Sequence, residues 1–308
     1  MNEGRRPGPS QESAVLSPKA ILDLDPSEAD QLLDRLESEV PVFPPLIDLL
    51  PESSGEAIVF GDTHGDWRST LRVADRFLAA PRENVLLGLG DYVDRAPDDA
   101  REGSVANALY LLQLAATYPH RVFLLQGNHE TARRIGVLPH DLPEEIDLLW
   151  GPEADRYSRL MSLIERGPLA ALLRGAAYFA HAGFPRSASA GDWRSRFEHV
   201  DEGLLIELVW AECGASRTRR GVARPFDETE LERFLAATGA HVFLRGHDPD
   251  LAGRSVYGNR CLTLHTSRVY ERFGGVLAAR LPLDSPVRST TDIRVEHLET
   301  EGKEFAAT

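Results

Sequence analysis

Cysteine is scarce. Cys213 and Cys261 are the only two in 308 residues. Neither belongs to a CxxC pair, so the sequence offers no disulfide framework and no thiolate zinc site. Cys261 opens an apolar, strand-like run and reads as a small buried residue; thiol catalysis is not expected. Lysine is scarce too. Lys19 and Lys303 stand alone, and arginine supplies the other 32 of 34 basic residues. A GC-rich genome produces such a bias, and so does an acidic surface adapted to salt. Long hydrophobic runs are missing, and nothing approaches the ~18–20 apolar residues of a membrane span. The N-terminal stretch MNEGRRPGPSQES has no apolar segment after its arginines, unlike a secretory signal. A soluble cytoplasmic protein is the expectation. Positive charge is in deficit, 34 Lys+Arg against 48 Asp+Glu, for a net charge of −14. Such a chain repels nucleic-acid backbones and anionic membranes, so neither is expected as a partner.

Residues 1–19 are rich in Pro, Gly, Ser and Arg without any period and read as a disordered tail. Residues 301–308 read as a second tail. Residues 20–55 read as a helical N-terminal extension. Within it, Asp25-Pro26-Ser27-Glu28 predicts a helix start: Asp25 caps, Pro26 suits the first turn, and Glu28 completes a capping box. Leu32, Leu33, Leu36 and Val40 follow at helical spacing, Pro41, Pro44 and Pro45 stop the helix, and a second short helical piece is expected to reach Leu50.

From residue 56 the texture changes. Apolar runs at 57–60, 85–89 and 122–125 alternate with helical patterns at 67–80 and 99–118. That β-α-β-α-β progression implies parallel strands joined by right-handed crossovers. Residues 131–176 read as mostly helical. Further strands are expected at 177–180, 242–244, 262–264, 276–281 and 293–298, with helices at 201–210 and from Asp227, where Glu230 completes another capping box. No linker divides residues 20–300, and residues 56–300 read as a single domain.

The strand ends repeat one chemical theme. Gly61-Asp62-Thr63-His64-Gly65-Asp66 follows the first, Gly90-Asp91-Tyr92-Val93-Asp94-Arg95 the second and Gly127-Asn128-His129-Glu130 the third. His181-Ala182-Gly183 and Gly246-His247-Asp248 end two later strands. Loops at the carboxyl ends of strands in α/β sheets converge on one rim, where ligands bind. Such convergence gathers carboxylate oxygen, amide oxygen and imidazole, a hard-to-borderline metal set without thiolate.

In this order the motifs resemble the signature of the phosphoprotein phosphatases, the serine/threonine-type branch of the metallophosphoesterase superfamily. The resemblance spans about residues 56–281 and includes the weaker segments Leu208-Val209-Trp210, Arg220-Gly221 and Tyr270. It implies an α/β (α+β) fold, a two-sheet β-sandwich flanked by helices, with a dinuclear metal site at the carboxyl ends of strands. It implies that Asp62, His64 and His247 hold a first divalent ion, that Asp91 bridges to a second, and that Asn128 and His181 complete the second. Manganese is the first expectation, and iron or zinc also suit the donor set. Two such ions about 3.5–4 Å apart share a water and lower its pKa toward ~7; the implied step is in-line attack of that bridging hydroxide on phosphorus, without a phosphoenzyme. Arg95 and Arg220 would clamp the phosphoryl oxygens, because a guanidinium fork matches them and stays charged. Asn128 would also face the phosphate, and Tyr270 would line the pocket. His129 would protonate the leaving alkoxide, with Asp94 orienting its imidazole. The implied substrate is phosphoserine or phosphothreonine in a protein. A dinucleoside polyphosphate or another small phosphoester is the alternative, and a non-enzymatic phosphoprotein-binding scaffold the third reading.

The sequence departs from the pattern in three places. Ala96 stands where glycine is usual after Asp94-Arg95, so that turn is open to change. Residues 131–150 lack the usual helix sequence and carry Asp141, Glu144, Glu145 and Asp147. The closing stretch Thr266-Ser267-Arg268-Val269-Tyr270 keeps the tyrosine but lacks Pro-Asn before it. Arg219 rivals Arg220 within an arginine-rich loop. The histidines at 120, 140, 199, 241, 265 and 297 have no motif behind them and read as structural, His265 being the first to reconsider because its strand faces the rim.

Overall fold

Alternation of side chains along short strands sets the layering in the computed structural model, which describes residues 15–49, 55–152, 155–186 and 192–298. The strands are β1 (Leu46–Asp48), β2 (Glu56–Phe60), β3 (Val85–Gly88), β4 (Val122–Leu124), β5 (Ala170–Leu173), β6 (Ala177–Ala180), β7 (Val242–Arg245), β8 (Ser255–Val256), β9 (Cys261–Thr263), β10 (Leu277–Pro282) and β11 (Arg294–His297). They form a six-stranded sheet, β1-β5-β6-β7-β9-β8, and a five-stranded sheet, β11-β10-β2-β3-β4. In β2, Ala57 and Val59 join the core between the sheets, while Ile58 and Phe60 face the helices. In β6, Ala177 and Phe179 point into that same core, and Tyr178 and Ala180 point outward. A period of two feeding one dry inter-sheet layer makes a sandwich.

Helices cover both outer faces. They are α1 (Pro18–Leu22), α2 (Pro26–Glu39), α3 (Trp67–Leu78), α4 (Gly103–Thr117), α5 (Leu142–Trp150), α6 (Arg156–Ile164), α7 (Glu202–Val209) and α8 (Glu228–Thr238). The capping box of α2 forms as read, with Glu28 N donating to Asp25 Oδ1 and Asp25 N to Glu28 Oε2, both at 2.9 Å. Helix α4 is buried almost all round, as an apolar helix sandwiched between a sheet and other helices must be.

Four expectations are corrected. The disordered tail read over 1–19 lies outside the described residues up to 14, but residues 15–19 are packed. Leu16 N donates to Gln113 Oε1 at 2.9 Å, and Ser17 caps α1, because Val15, Leu16 and Ile21 find an apolar bed on the helical layer. The helical piece expected up to Leu50 is instead β1, paired in parallel with β5 through Leu46↔Ala170 and Ile47↔Ala171. The extension over 20–55 is therefore not purely helical but contributes a sheet edge. The run 131–176, read as mostly helical, ends in β5. The tail at 301–308 lies outside the described residues.

Strands β2, β3 and β4 run parallel, as do β6, β7 and β9. An isolated parallel bridge between Asp62, after β2, and His265, after β9, stitches the two rims together, with Thr266 N donating to Asp62 O at 2.9 Å. The carboxyl ends of both sheets thus share one opening.

Candidate active site

The loops after β2 and β3 are tied backbone to backbone: Thr63 N and His64 N donate to Asp91 O at 3.0 and 2.9 Å. Holding them there forces left-handed backbone on residues that avoid it. His64 (φ 44°), Asp91 (φ 56°), Asp94 (φ 64°), Arg95 (φ 57°) and His247 (φ 71°) all adopt it, at about 1–3 kcal/mol each. Ala96 does not, so alanine serves where glycine was the usual residue. At two of the glycines a side chain would run into a site carboxylate. A Cβ on Gly127 would lie 2.3 Å from Asp91 Oδ1, and one on Gly246 would lie 2.0 Å from Asp62 Oδ1.

These turns gather the donors. His64 Nδ1 donates to Val93 O at 3.0 Å and His181 Nδ1 to Leu89 O at 2.9 Å, which leaves each Nε2 facing inward. His181 Nε2 is 3.4 Å from Asp91 Oδ2, 3.1 Å from Asn128 Oδ1 and 3.2 Å from His247 Nδ1. His247 Nδ1 is 3.0 Å from Asn128 Oδ1. His64 Nε2 stands 3.7 Å from Asp91 Oδ2 on the other side. Asp62 is set slightly apart; its carboxylate accepts His247 N at 3.1–3.2 Å and lies 3.5 Å from His265 Nδ1. Burial pushes the Asp62 carboxyl up to about 7 and the His64 imidazole down to about 3. Burial also pulls on His181, but the Asp91 charge outweighs it and holds this imidazole at about 9.

His129 and Asp94 form the expected pair. Both are fully buried, and His129 Nδ1 donates to Asp94 Oδ2 at 2.5 Å. Burial opposes the Asp94 charge, yet the hydrogen bonds from His129 and His140 hold its carboxyl well below the usual carboxylate range. The other ring nitrogen, His129 Nε2, has no hydrogen-bond partner among the described residues. The arginines flank the cluster. Arg95 Nη1 donates to Tyr270 Oη at 3.1 Å, and the Tyr270 ring lies 5.5 Å from that of His64. Arg220 Nη2 donates to His247 O at 2.9 Å, with Nη1 3.3 Å from Asp248 Oδ1. The rival Arg219 turns back into its own loop, donating to the carbonyls of Gly214, Ser216 and Thr218.

All of the expected site residues meet on this rim, but one grouping is corrected. His247, read as sharing an ion with Asp62 and His64, instead groups with Asp91 and His181, their donor atoms mutually within 4.8 Å. Its β7 strand lies next to β6, so its ring reaches Asn128 and His181, and only its backbone N–H reaches Asp62. A second group at this spacing joins His64, Asp91 and His129. Three participants escaped the sequence reading. Glu130 accepts the backbone N–H groups of Asp91, Tyr92 and Gly127 at 2.6–2.8 Å; its place in the Gly127–Glu130 motif was the available signal. His140 Nδ1 donates to Asp94 Oδ2 at 3.0 Å. Arg268 donates to the buried Asp66, Nη2 at 2.8 Å.

Divalent ions fit this donor set. Carboxylate, amide oxygen and imidazole converge without thiolate, the glycines leave the donors uncovered, and imidazole nitrogens of His129 and His265 are buried with no hydrogen-bond partner among the described residues. Buried polar atoms otherwise find partners in native proteins.

Comparison with known proteins follows the same line. A family model described as calcineurin-like phosphoesterase matches residues 57–251. A probable serine/threonine-protein phosphatase of Encephalitozoon cuniculi is 28% identical over 231 residues, covering 71% of this chain and 48% of that protein. A PP2A-like serine/threonine-protein phosphatase of Candida albicans is 28% identical over 257 residues, covering 80% and 59%. Human serine/threonine-protein phosphatase 5 is 25% identical over 252 residues, covering 79% and 49%. The chain thus spans about half the length of the curated relatives it matches. Among solved structures, a Saccharomyces cerevisiae protein serine/threonine phosphatase with similarity to human PP5 superposes with a TM-score of 0.69 at 22% identity, covering 94% of this chain and 92% of that one; this is a likeness of fold. With the family model matched over most of the sandwich and the donor-bearing loops, the chain belongs to the calcineurin-like phosphoesterase family.

Proposed function

We propose that the chain is a metal-dependent phosphomonoesterase that removes phosphate from phosphoserine and phosphothreonine in proteins. One observation carries this reading: a buried His129 with Nδ1 on the Asp94 carboxylate and Nε2 unpartnered among the described residues, beside a rim of donors of the metal-binding type. The relatives named as serine/threonine-protein phosphatases support the substrate class.

Asp62, His64 and Asp91 would hold one divalent ion, and Asp91, Asn128, His181 and His247 the other. We assign manganese first, and the donor set takes iron or zinc as well. When bound, the ions supply Lewis acidity and an acidified water. The chain's own groups do the rest. Arg95 and Arg220 clamp the phosphoryl oxygens from two flanks, with permanent charge and forked donors. Tyr270 steadies Arg95, and Asn128 faces the phosphate. His129 Nε2 carries the proton that passes to the departing serine or threonine oxygen. Asp94 fixes the ring and stabilises its cationic form; such proton donation is worth ~10²–10⁴ in rate. Both cysteines are free and buried, which suits the reducing cytoplasm.

Incubation with a phosphoserine peptide and Mn²⁺ should release inorganic phosphate, and EDTA should stop it. A parallel panel with a dinucleoside polyphosphate and a phosphodiester decides the substrate. Faster turnover of the polyphosphate than of the peptide would replace the protein-phosphatase assignment by the small-phosphoester one. No turnover of any of them, in protein holding two ions, would remove the enzymatic reading.

A further inference from the structure

The regrouping of His247 leaves the Asp62 side of the site one donor poorer than the sequence motifs suggest. His265 stands there. It follows β9 and bridges to Asp62 across the two sheets. The residue is fully buried, and among the described residues neither Nδ1 nor Nε2 has a hydrogen-bond partner. A buried polar group left unsatisfied is costly and calls for a partner. Its ring lies 5.1 Å from that of Tyr270, which in turn packs against His64. Nδ1 is 3.5 Å from Asp62 Oδ2. That separation is long for a hydrogen bond between nitrogen and oxygen, which prefers about 2.7–3.2 Å. It matches two donors sharing an ion: ligands ~2.1 Å from a tetrahedral centre stand about 3.4 Å apart.

We propose that His265 is a further protein ligand to the ion held by Asp62, His64 and Asp91. The inference rests on the two-ion reading of the site. It makes the two halves equal in donors, with Asp62, His64 and His265 on one side, Asn128, His181 and His247 on the other, and Asp91 shared between them.

The test uses the full chain, stripped with a chelator and titrated with Co²⁺ in a calorimeter. The loaded protein is then examined by proton NMR in water for contact-shifted, exchangeable imidazole N–H signals. Wild type should take up two ions and show four such signals, from His64, His181, His247 and His265. His265→Phe should lose one signal and weaken one binding step at least about tenfold. Two ions with three signals in wild type, or a His265→Phe chain that binds both ions as tightly as wild type, overturns this proposal and leaves the two-ion reading standing. Fewer than two ions in wild type overturns both. The wild-type signal count needs no variant, so a His265→Phe chain that fails to fold does not protect the idea.

Discussion

Asp94 Oδ2 accepts two imidazoles at once, His129 Nδ1 at 2.5 Å and His140 Nδ1 at 3.0 Å, while Oδ1 accepts the backbone N–H groups of Asp141 and Leu142 at 2.7 and 2.9 Å. Four donors around one buried carboxylate keep it ionised and immobile. Asp94→Asn preserves the shape but removes the charge that favours a cationic His129. Turnover of a phosphoserine peptide should fall by about 10²–10⁴, with the content of bound metal unchanged by elemental analysis. Loss of metal along with activity would mean that Asp94 serves the metal site rather than the proton.

His140 adds a second layer to this pair. Its Nε2 lies 2.9 Å from Tyr157 Oη while Nδ1 faces Asp94, so the ring is held at both ends. In His140→Phe the Asp94 charge is shared with one donor fewer and acts more strongly on His129. The turnover number should drop less than in Asp94→Asn, KM should stay nearly constant, and the alkaline fall of turnover should move to higher pH. A pH profile that is merely scaled down would reduce His140 to packing.

The strand-end motifs were readable because their chemistry is local: glycine, a donor and a turn occupy adjacent positions. Which donors share an ion was not, since order along the chain does not say which of two neighbouring strand ends leans which way, and His247 went to the wrong partner for that reason. The strand β1 was missed because Leu46-Ile47-Asp48 is too short for any period. The strand β5 reads Ala-Ala-Leu-Leu, an apolar run that periodicity cannot separate from helix. His140 and His265 lie outside every motif; only the distances at Asp94 and Asp62 bring them in.

A glycine test separates fold from site. Gly246 does not adopt a positive φ, but a Cβ there would meet Asp62 Oδ1 at 2.0 Å. Asp62 must then leave its place. Gly246→Ala should weaken metal uptake at least about tenfold, the scale seen when the groups around a ligand are disturbed, while the circular-dichroism spectrum of the fold persists. Calorimetric metal titration checks it, and unaltered uptake would show that Asp62 is not a ligand.

Arg268 ties the loop carrying Tyr270 to the start of α3. It donates through N, Nε and Nη2 to the fully buried Asp66 and through Nη1 to Asp99 at 2.8 Å. Removing the arginine leaves the buried Asp66 carboxylate short of a partner; because Arg268 itself is 20% exposed, the cost is about 1–3 kcal/mol. Arg268→Met should therefore lower stability by that order in urea unfolding. Asp66→Asn combined with Arg268→Met should recover part of it, because the stranded charge is gone. A double variant no better than the single one would place the cost in packing instead.

Glu145 gives the pH dependence a sign. It is buried, and its carboxyl accepts Ser104 N, Ser104 Oγ and Val105 N, while Ser104 Oγ accepts Asp94 N. Burial is the main cause that pushes it up to about 7; the Ser104 and Val105 donors work the other way, and the Asp94 charge adds to the rise. The unfolded chain titrates near 4.5. Between those values the native state binds a proton that the unfolded state has released. This contribution to stability is full below about pH 4.5 and disappears as pH rises to about 7. Its size is at most about 3 kcal/mol at one pKa unit per 1.36 kcal/mol. Glu145→Gln carries no proton to lose, so relative to wild type it should gain stability steadily from pH 4.5 to 7 and level off above. Urea midpoints of both chains across that range measure the difference. A gap that does not change with pH would mean that Glu145 is already ionised in the folded protein, held so by its three donors.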